Sequence, residues 1–185
     1  MTYLKKQVST DSVRHMHAVA EFMYAVAPHF GLDADDMYLL GLVHDVGILH
    51  GKLRHEEIGA KMLKKFGVNE KYQKIVSCHA MTPKDYKQRY RCKDDGIPKE
   101  LVILWWADMV VTADGNTGTY QDRLEQVRID CGRDSYSYFV CKEIIAWLQE
   151  NLPPLLDRMA KKKDGTKPAK ENGEDGKEDM TESKE

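Results

Sequence analysis

The chain has 185 residues, 42% of them hydrophobic, and a formal net charge of -2. That length suits one domain with an appendage, and the charge leaves no basic footprint for nucleic acid. No apolar run approaches the roughly 20 residues of a membrane span, so no membrane insertion is expected.

Met1 to Gln7 carry no apolar stretch of the kind that opens a secretory signal, so a cytoplasmic location is expected. The cysteines Cys78, Cys92, Cys131 and Cys141 form no C-x-x-C pair. They read as free thiols in a reducing compartment, not as a disulfide framework or a thiolate metal site. Cys78 precedes His79, but a neighbour one residue along a helix faces elsewhere.

The elements read as helices throughout. A first helix is expected from about Ser12 to Phe30, capped by Thr10 or Asp11 and stopped by Gly31. A second starts at Asp33, with Asp36 placed as in a capping box, and runs to Gly47. A third covers His55 to Phe66, and a fourth, capped by Asn69, ends near Ala80. The polar, basic stretch Thr82 to Ile97 reads as a loop. Pro98 suits the first turn of a fifth helix, Lys99 to Val111. Two more follow, Tyr120 to Ile129 and Ser135 to Leu148, with Thr119 and Asp134 as caps and a short last turn at Leu155 to Met159. Without strand alternation or internal repeats, the class is all-α. After Ala160 the composition turns charged and Gly/Pro-bearing, which predicts a domain over 1–160 and a disordered tail over 161–185.

Residues three, four and seven apart share a helix face. His15 shares one with Val19, Phe22 and Val26, and His44 with Met37, Leu40 and Gly41. His55 aligns with Ile58, Gly59, Met62 and Phe66, His79 with Tyr72, Ile75 and Val76, and Asp108 with Leu101, Leu104 and Trp105. One such polar residue is commonly a satisfied core group, but five of them plus Asp45 are hard to bury separately. Imidazole and carboxylate together are ligands for divalent transition metals. His17 lies about 200° around the helix from His15, so the two cannot face one site, and His15 has the apolar partners. His29 and His50, at a helix end and in a loop, read as non-ligands, with His50 near enough to be considered for substrate.

These residues resemble the HD-domain superfamily of metal-dependent phosphohydrolases, whose pattern is H…HD…D. Arg14-His15 with Val19-Ala20 resembles the first-histidine helix, Leu42 to Gly47 the central motif, and Trp106 to Met109 the final aspartate segment. His55 with Gly59-Ala60, and Ile75 to His79, are similar to the extra histidines of binuclear members, among them small bacterial diadenosine tetraphosphate hydrolases and uncharacterised HD proteins. The resemblance implies a compact helical bundle with one metal on His15, His44, Asp45 and Asp108 and a second on His55 and His79, Asp45 bridging. It implies two divalent transition metals, iron or manganese, with zinc compatible with the same ligands. The chain departs from the longer pattern HD-x-G-K, since Ile48 follows Gly47, and from the C-terminal pattern of the diadenosine tetraphosphate hydrolases.

The implied reaction is hydrolysis of a phosphate ester or anhydride of a nucleotide-like small molecule by a metal-bridging hydroxide, with His44 and Asp45 at its centre. Lys52, Lys84 and Arg89 are the candidates for binding phosphate, and Glu56 is considered as a general acid against a plain helix-start glutamate. Arg123 reads as a structural ion-pair former on an amphipathic helix. Two other readings stay open: a di-iron oxygenase with the same ligands, and a non-catalytic nucleotide sensor.

Overall fold

The structure is a computed structural model that describes residues 10–51 and 53–163. Among these residues the protein is all-α: α1 (Thr10–Val26), α2 (Ala34–Val43), α3 (His55–Lys65), α4 (Glu70–Cys78), α5 (Pro83–Tyr90), α6 (Lys99–Val110), α7 (Tyr120–Cys131) and α8 (Tyr136–Lys163). The only extended pairing among them is a single antiparallel bridge between Val111 and Thr117. None of the described helices is long and apolar enough to cross a membrane. Lys52 and the segment 164–185 of the charged tail lie outside the described residues, while 161–163 continue α8.

The sequence dictates most of the boundaries. Pro28 ends α1 in a 3-10 turn, Ala27–Phe30, and Gly31 takes the left-handed conformation (φ 67°) that closes it. Asp33 caps α2 by accepting the Asp36 amide at 2.9 Å. The Asp36 carboxylate does not complete a capping box; it accepts from the Tyr72 hydroxyl at 2.7 Å and ties α2 to α4. Asn69 caps α4, and Thr119 with Asp122 forms a reciprocal capping box on α7.

α6 is the central element. Leu101 to Trp105, Ala107 and Met109 are all buried, and α1, α4, α7 and α8 pack around it. A helix apolar on nearly every side belongs in the middle of a bundle. Its one buried acid outside the site, Glu100, is held by Lys71 of α4 at 2.5 Å.

The structure corrects several expectations. The stretch 82–97 is not a loop: it holds α5 and a 3-10 turn, Asp94–Gly96. The signal was present, since Thr82 caps the helix, Pro83 takes its first position, and Asp85 in the first turn and Arg89 in the last complement the helix dipole. The second helix stops at Val43, not Gly47, leaving His44 and Asp45 in the turn that follows. On α3 the buried positions are Gly59 and Leu63, while Phe66 is 79% exposed, so the inward face is narrower than the apolar count suggested. Ser135, not Asp134, caps α8, accepting the Tyr138 amide at 3.1 Å. α8 does not stop at Leu148 but continues through Pro153 and Pro154, because Leu148, Leu152, Leu155 and Leu156 keep one apolar face against the core.

Candidate metal centre

Five helices deliver six side chains to one place. His15 lies on the buried face of α1. Gly41 of α2 has no room for a side chain, since a Cβ there would meet the Ala20 Cα at 2.6 Å, so α1 and α2 touch backbone to backbone. That contact sets His15 beside His44, their ring centroids 5.5 Å apart. His44 is the C-cap residue just past the end of α2, and Asp45 (φ -103°, ψ 13°) sits in the bridge region of backbone space, from which a 3-10 turn, Val46–His50, departs.

Gly47 in that turn lies against α3, where a Cβ would fall 1.9 Å from the His55 carbonyl oxygen and 2.7 Å from the Gly59 nitrogen. Only glycine allows this approach, and it is what carries His55 to Asp45. His79 ends α4, its carbonyl oxygen fixed by the buried Trp105 indole of α6 at 2.9 Å. Asp108 lies in the last turn of α6.

The ring nitrogens share one orientation. The Nδ1 atoms of His15, His44 and His79 donate to backbone carbonyls of Thr112, Gly41 and Val76 at 3.1, 2.7 and 2.7 Å. A carbonyl only accepts, so each Nδ1 carries the proton and each Nε2 presents a lone pair to the centre. His55 has the Glu56 carboxylate 3.4 Å from its Nδ1. The inward Nε2 atoms lie close to the carboxylates: His15 is 3.0 Å from Asp108 Oδ1, and His55 and His79 are each 3.1 Å from Asp45 Oδ1. His55 and His79 are 3.2 Å apart through their Nε2 atoms. The other oxygen of Asp45, Oδ2, faces His44 Nε2 at 3.7 Å, beyond hydrogen-bond reach. Each Asp45 oxygen thus serves a different set, His44 with His15 on one side and His55 with His79 on the other.

Lone pairs at about 3 Å repel unless a proton or a cation lies between them. For His44 a proton is the wrong answer. The ring is fully buried, and desolvation lowers its pKa to about 4 despite the nearby Asp45 and Asp108. Burial pushes the Asp45 carboxyl up, but the neighbouring imidazoles of His44, His55 and His79 outweigh it and hold it well below the usual range. Asp108 follows the same logic: burial raises it, and Arg123, His15 and His44 bring it far down. Four imidazoles and two carboxylates in such proximity fit a divalent transition metal. His44 Nε2 supports that fit directly, being buried with no hydrogen-bond partner. His15, His44 and Asp45 form one set with mutually close ligand atoms, and Asp45, His55 and His79 form a second. Asp108 joins through His15.

The remaining candidates lie elsewhere. Lys84 and Arg89 are exposed on α5, and among the described residues no hydrogen bond or ion pair ties either to the six. His17 is exposed and contacts Tyr38 and Glu21 at 3.2 and 3.3 Å, on the far side of α1 from His15. His50 is exposed at the end of its 3-10 turn. All four cysteines are free, and burial pushes the Cys141 thiol up to about 12. Arg123 does pair with an acid, as expected, but the acid is Asp108 of the centre, at 2.8 Å. Its sequence signal was a lone basic residue in the second half-turn of a capped helix, which any surface helix shows.

The all-α bundle brings four histidines and two aspartates together, and groups among them could hold a metal ion. The HD domain family matches residues 13–112, more than half the chain, and the protein belongs to that family. Proteins with this domain are in general metal-dependent phosphohydrolases. Searches of curated proteins and of solved structures gave no match.

Proposed function

We propose that the chain is a metal-dependent phosphohydrolase that cleaves a phosphate ester or anhydride of a small, nucleotide-like substrate in the cytoplasm. The observation that carries the reading is the gathering of four histidines and two aspartates into one cluster in which His44 Nε2 is buried with no hydrogen-bond partner. His15, His44, Asp45 and Asp108 would hold one divalent metal and Asp45, His55 and His79 a second, iron or manganese in either place. Such a pair supplies a water of lowered pKa and a clamp on phosphoryl oxygens.

The chain's own residues prepare the rest. The backbone carbonyls of Thr112, Gly41 and Val76 fix the tautomers of three histidines, so the ligand atoms are oriented before anything binds. Glu56 stands beside His55 Nδ1, a place suited to orienting that ring. Asp45 divides its two oxygens between the two histidine sets. Two dications against two carboxylates leave the centre positive, which favours a multiply charged anion such as a phosphate over a neutral substrate.

The test is turnover of phosphate monoesters and dinucleoside polyphosphates by protein loaded with Mn2+ or Fe2+, read as released phosphate or mononucleotide. Asp45→Ala should lose at least about 1,000-fold in rate while keeping its helical circular dichroism. Full activity in that variant, or activity that vanishes when oxygen is excluded, would overturn the hydrolase reading.

A further inference from the structure

The phosphate-binding cation of this centre is not where the motif would put it. Ile48 stands in the place of the lysine of the longer HD pattern, and Lys84 and Arg89 are exposed on α5. Among the described residues, one Lys or Arg is bonded to the six-residue cluster: Arg123 of α7, beyond the segment that matches the family. Its Nη2 donates to Asp108 Oδ1 at 2.8 Å, and its side chain is 15% exposed.

Arg123 is held there at some cost. Among the described residues two buried side-chain polar atoms have no hydrogen-bond partner, His44 Nε2 and Arg123 Nε. Both belong to this one centre. In a guanidinium the Nε–H and one Nη2–H point along the same edge, the edge that binds a two-oxygen anion side-on. Asp108 Oδ1 accepts from Nη2, while Nε has no acceptor among the described residues. A buried donor of this kind is costly to leave unmet, and a phosphoryl oxygen held at the centre would supply its acceptor.

We propose that Arg123 is the phosphate-binding residue of the centre, donating to a non-bridging phosphoryl oxygen from its Nε edge while Nη2 stays on Asp108. This rests on the phosphohydrolase reading and names the group that recognises the phosphate. The connection 111–119 between α6 and α7 is a turn held in place by the Gly118 amide on the Val110 carbonyl (2.7 Å) and the Thr112 amide on the Asn116 carbonyl (2.9 Å), so α7 is presented at a fixed angle to Asp108.

The experiment is inorganic phosphate binding to the Mn2+-loaded full chain by titration calorimetry, for wild type, Arg123→Gln and Arg123→Lys, with metal content measured on the same samples. Arg123→Gln at wild-type metal content should bind phosphate at least about tenfold more weakly, and its KM for a phosphate ester should rise. Arg123→Lys keeps the charge but not the planar edge, so it should fall between the two. Unchanged phosphate affinity in Arg123→Gln at full metal content overturns the proposal and leaves Arg123 as a prop for Asp108. If Arg123→Gln fails to fold, the lysine variant decides: phosphate affinity equal to wild type refutes an edge-on contact. Wild-type protein that neither binds phosphate nor turns over any ester refutes the phosphohydrolase reading itself, which separates the two failures.

Discussion

At the scale of single residues, the centre trades stability for ligation, and His44 shows it most clearly. Its ring is fully buried, its Nδ1 is satisfied by Gly41, and its Nε2 is not satisfied at all. An unpaired buried acceptor costs about 1–3 kcal/mol, against about 0.5–1.5 kcal/mol for the one hydrogen bond it keeps. His44→Leu should therefore leave the metal-free chain within about 1 kcal/mol of wild type in urea unfolding, or more stable. The same substitution should remove the stabilisation that added metal gives the wild type. A large loss of stability in metal-free His44→Leu would show that the ring is a structural core histidine. The pH dependence follows with its sign. His44 takes up its proton near pH 6.5 when unfolded and near 4 when folded, so unfolding binds a proton in that window. Metal-free stability should fall as pH drops from about 6.5 to 4, by roughly 3 kcal/mol from this residue. The leucine variant should lose that part of the profile. Asp45 and Asp108, both depressed, add their own loss below about pH 4, as their carboxylates protonate.

At the scale of elements, what could be read in the sequence was which face of each helix turns inward. The stripes that held His15, His44, His79 and Asp108 are the buried faces, because period and burial are the same physical fact for a helix against a core. Helix ends were harder. The turn at His44-Asp45 looks like helix in the sequence because Val46, Ile48 and Leu49 continue the apolar run, and nothing local says that the backbone leaves α-geometry at Asp45. α5 was missed for the opposite reason, a polar composition masking a sound cap at Thr82, whose hydroxyl accepts the Asp85 amide at 3.0 Å. Arg123 was read correctly as an ion-pair former, but its partner depends on how α7 docks on α6, which residue order does not encode. The closest contact between elements gives the sharpest test. Gly47→Ala would place a Cβ on the His55 carbonyl oxygen, a backbone atom that cannot swing aside. Overpacking of this kind costs about 1–3 kcal/mol, and the relief available is to push the start of α3 away from the Asp45 turn. His55 moves with it, while His15, His44 and Asp108 sit on other helices. If the centre loads two metals as proposed, Gly47→Ala should therefore lose metal from the His55 and His79 side first, seen as a drop from about two metals per chain to about one. Loss of both metals together would mean that the two sets do not load separately.

At the scale of the whole molecule, the centre joins segments that are otherwise far apart in the chain. The six residues run from 15 to 108 and come from α1, the end of α2, α3, α4 and α6, the elements that also form the core around Trp105 and Leu104. A metal bound only by the folded arrangement stabilises it by mass action, about 1.4 kcal/mol for each tenfold of free metal above the dissociation constant. The local cost of the centre, an orphaned imidazole nitrogen and two buried carboxylates, is then offset only when the ligands are engaged. Chelation should therefore lower the unfolding midpoint of the wild type and do so in proportion to the logarithm of free metal. Asp45→Ala should show a midpoint that no longer responds to metal, because that residue faces both histidine sets. Hydrogen exchange locates the effect. The amides of α3, joined to the bundle through the Gly47 turn and α4, should gain protection on metal addition, whereas those of the largely buried α6 should change little. Equal gains across all helices would instead mean that the metal acts on global unfolding alone, and that α3 is not a separately mobile side of the site.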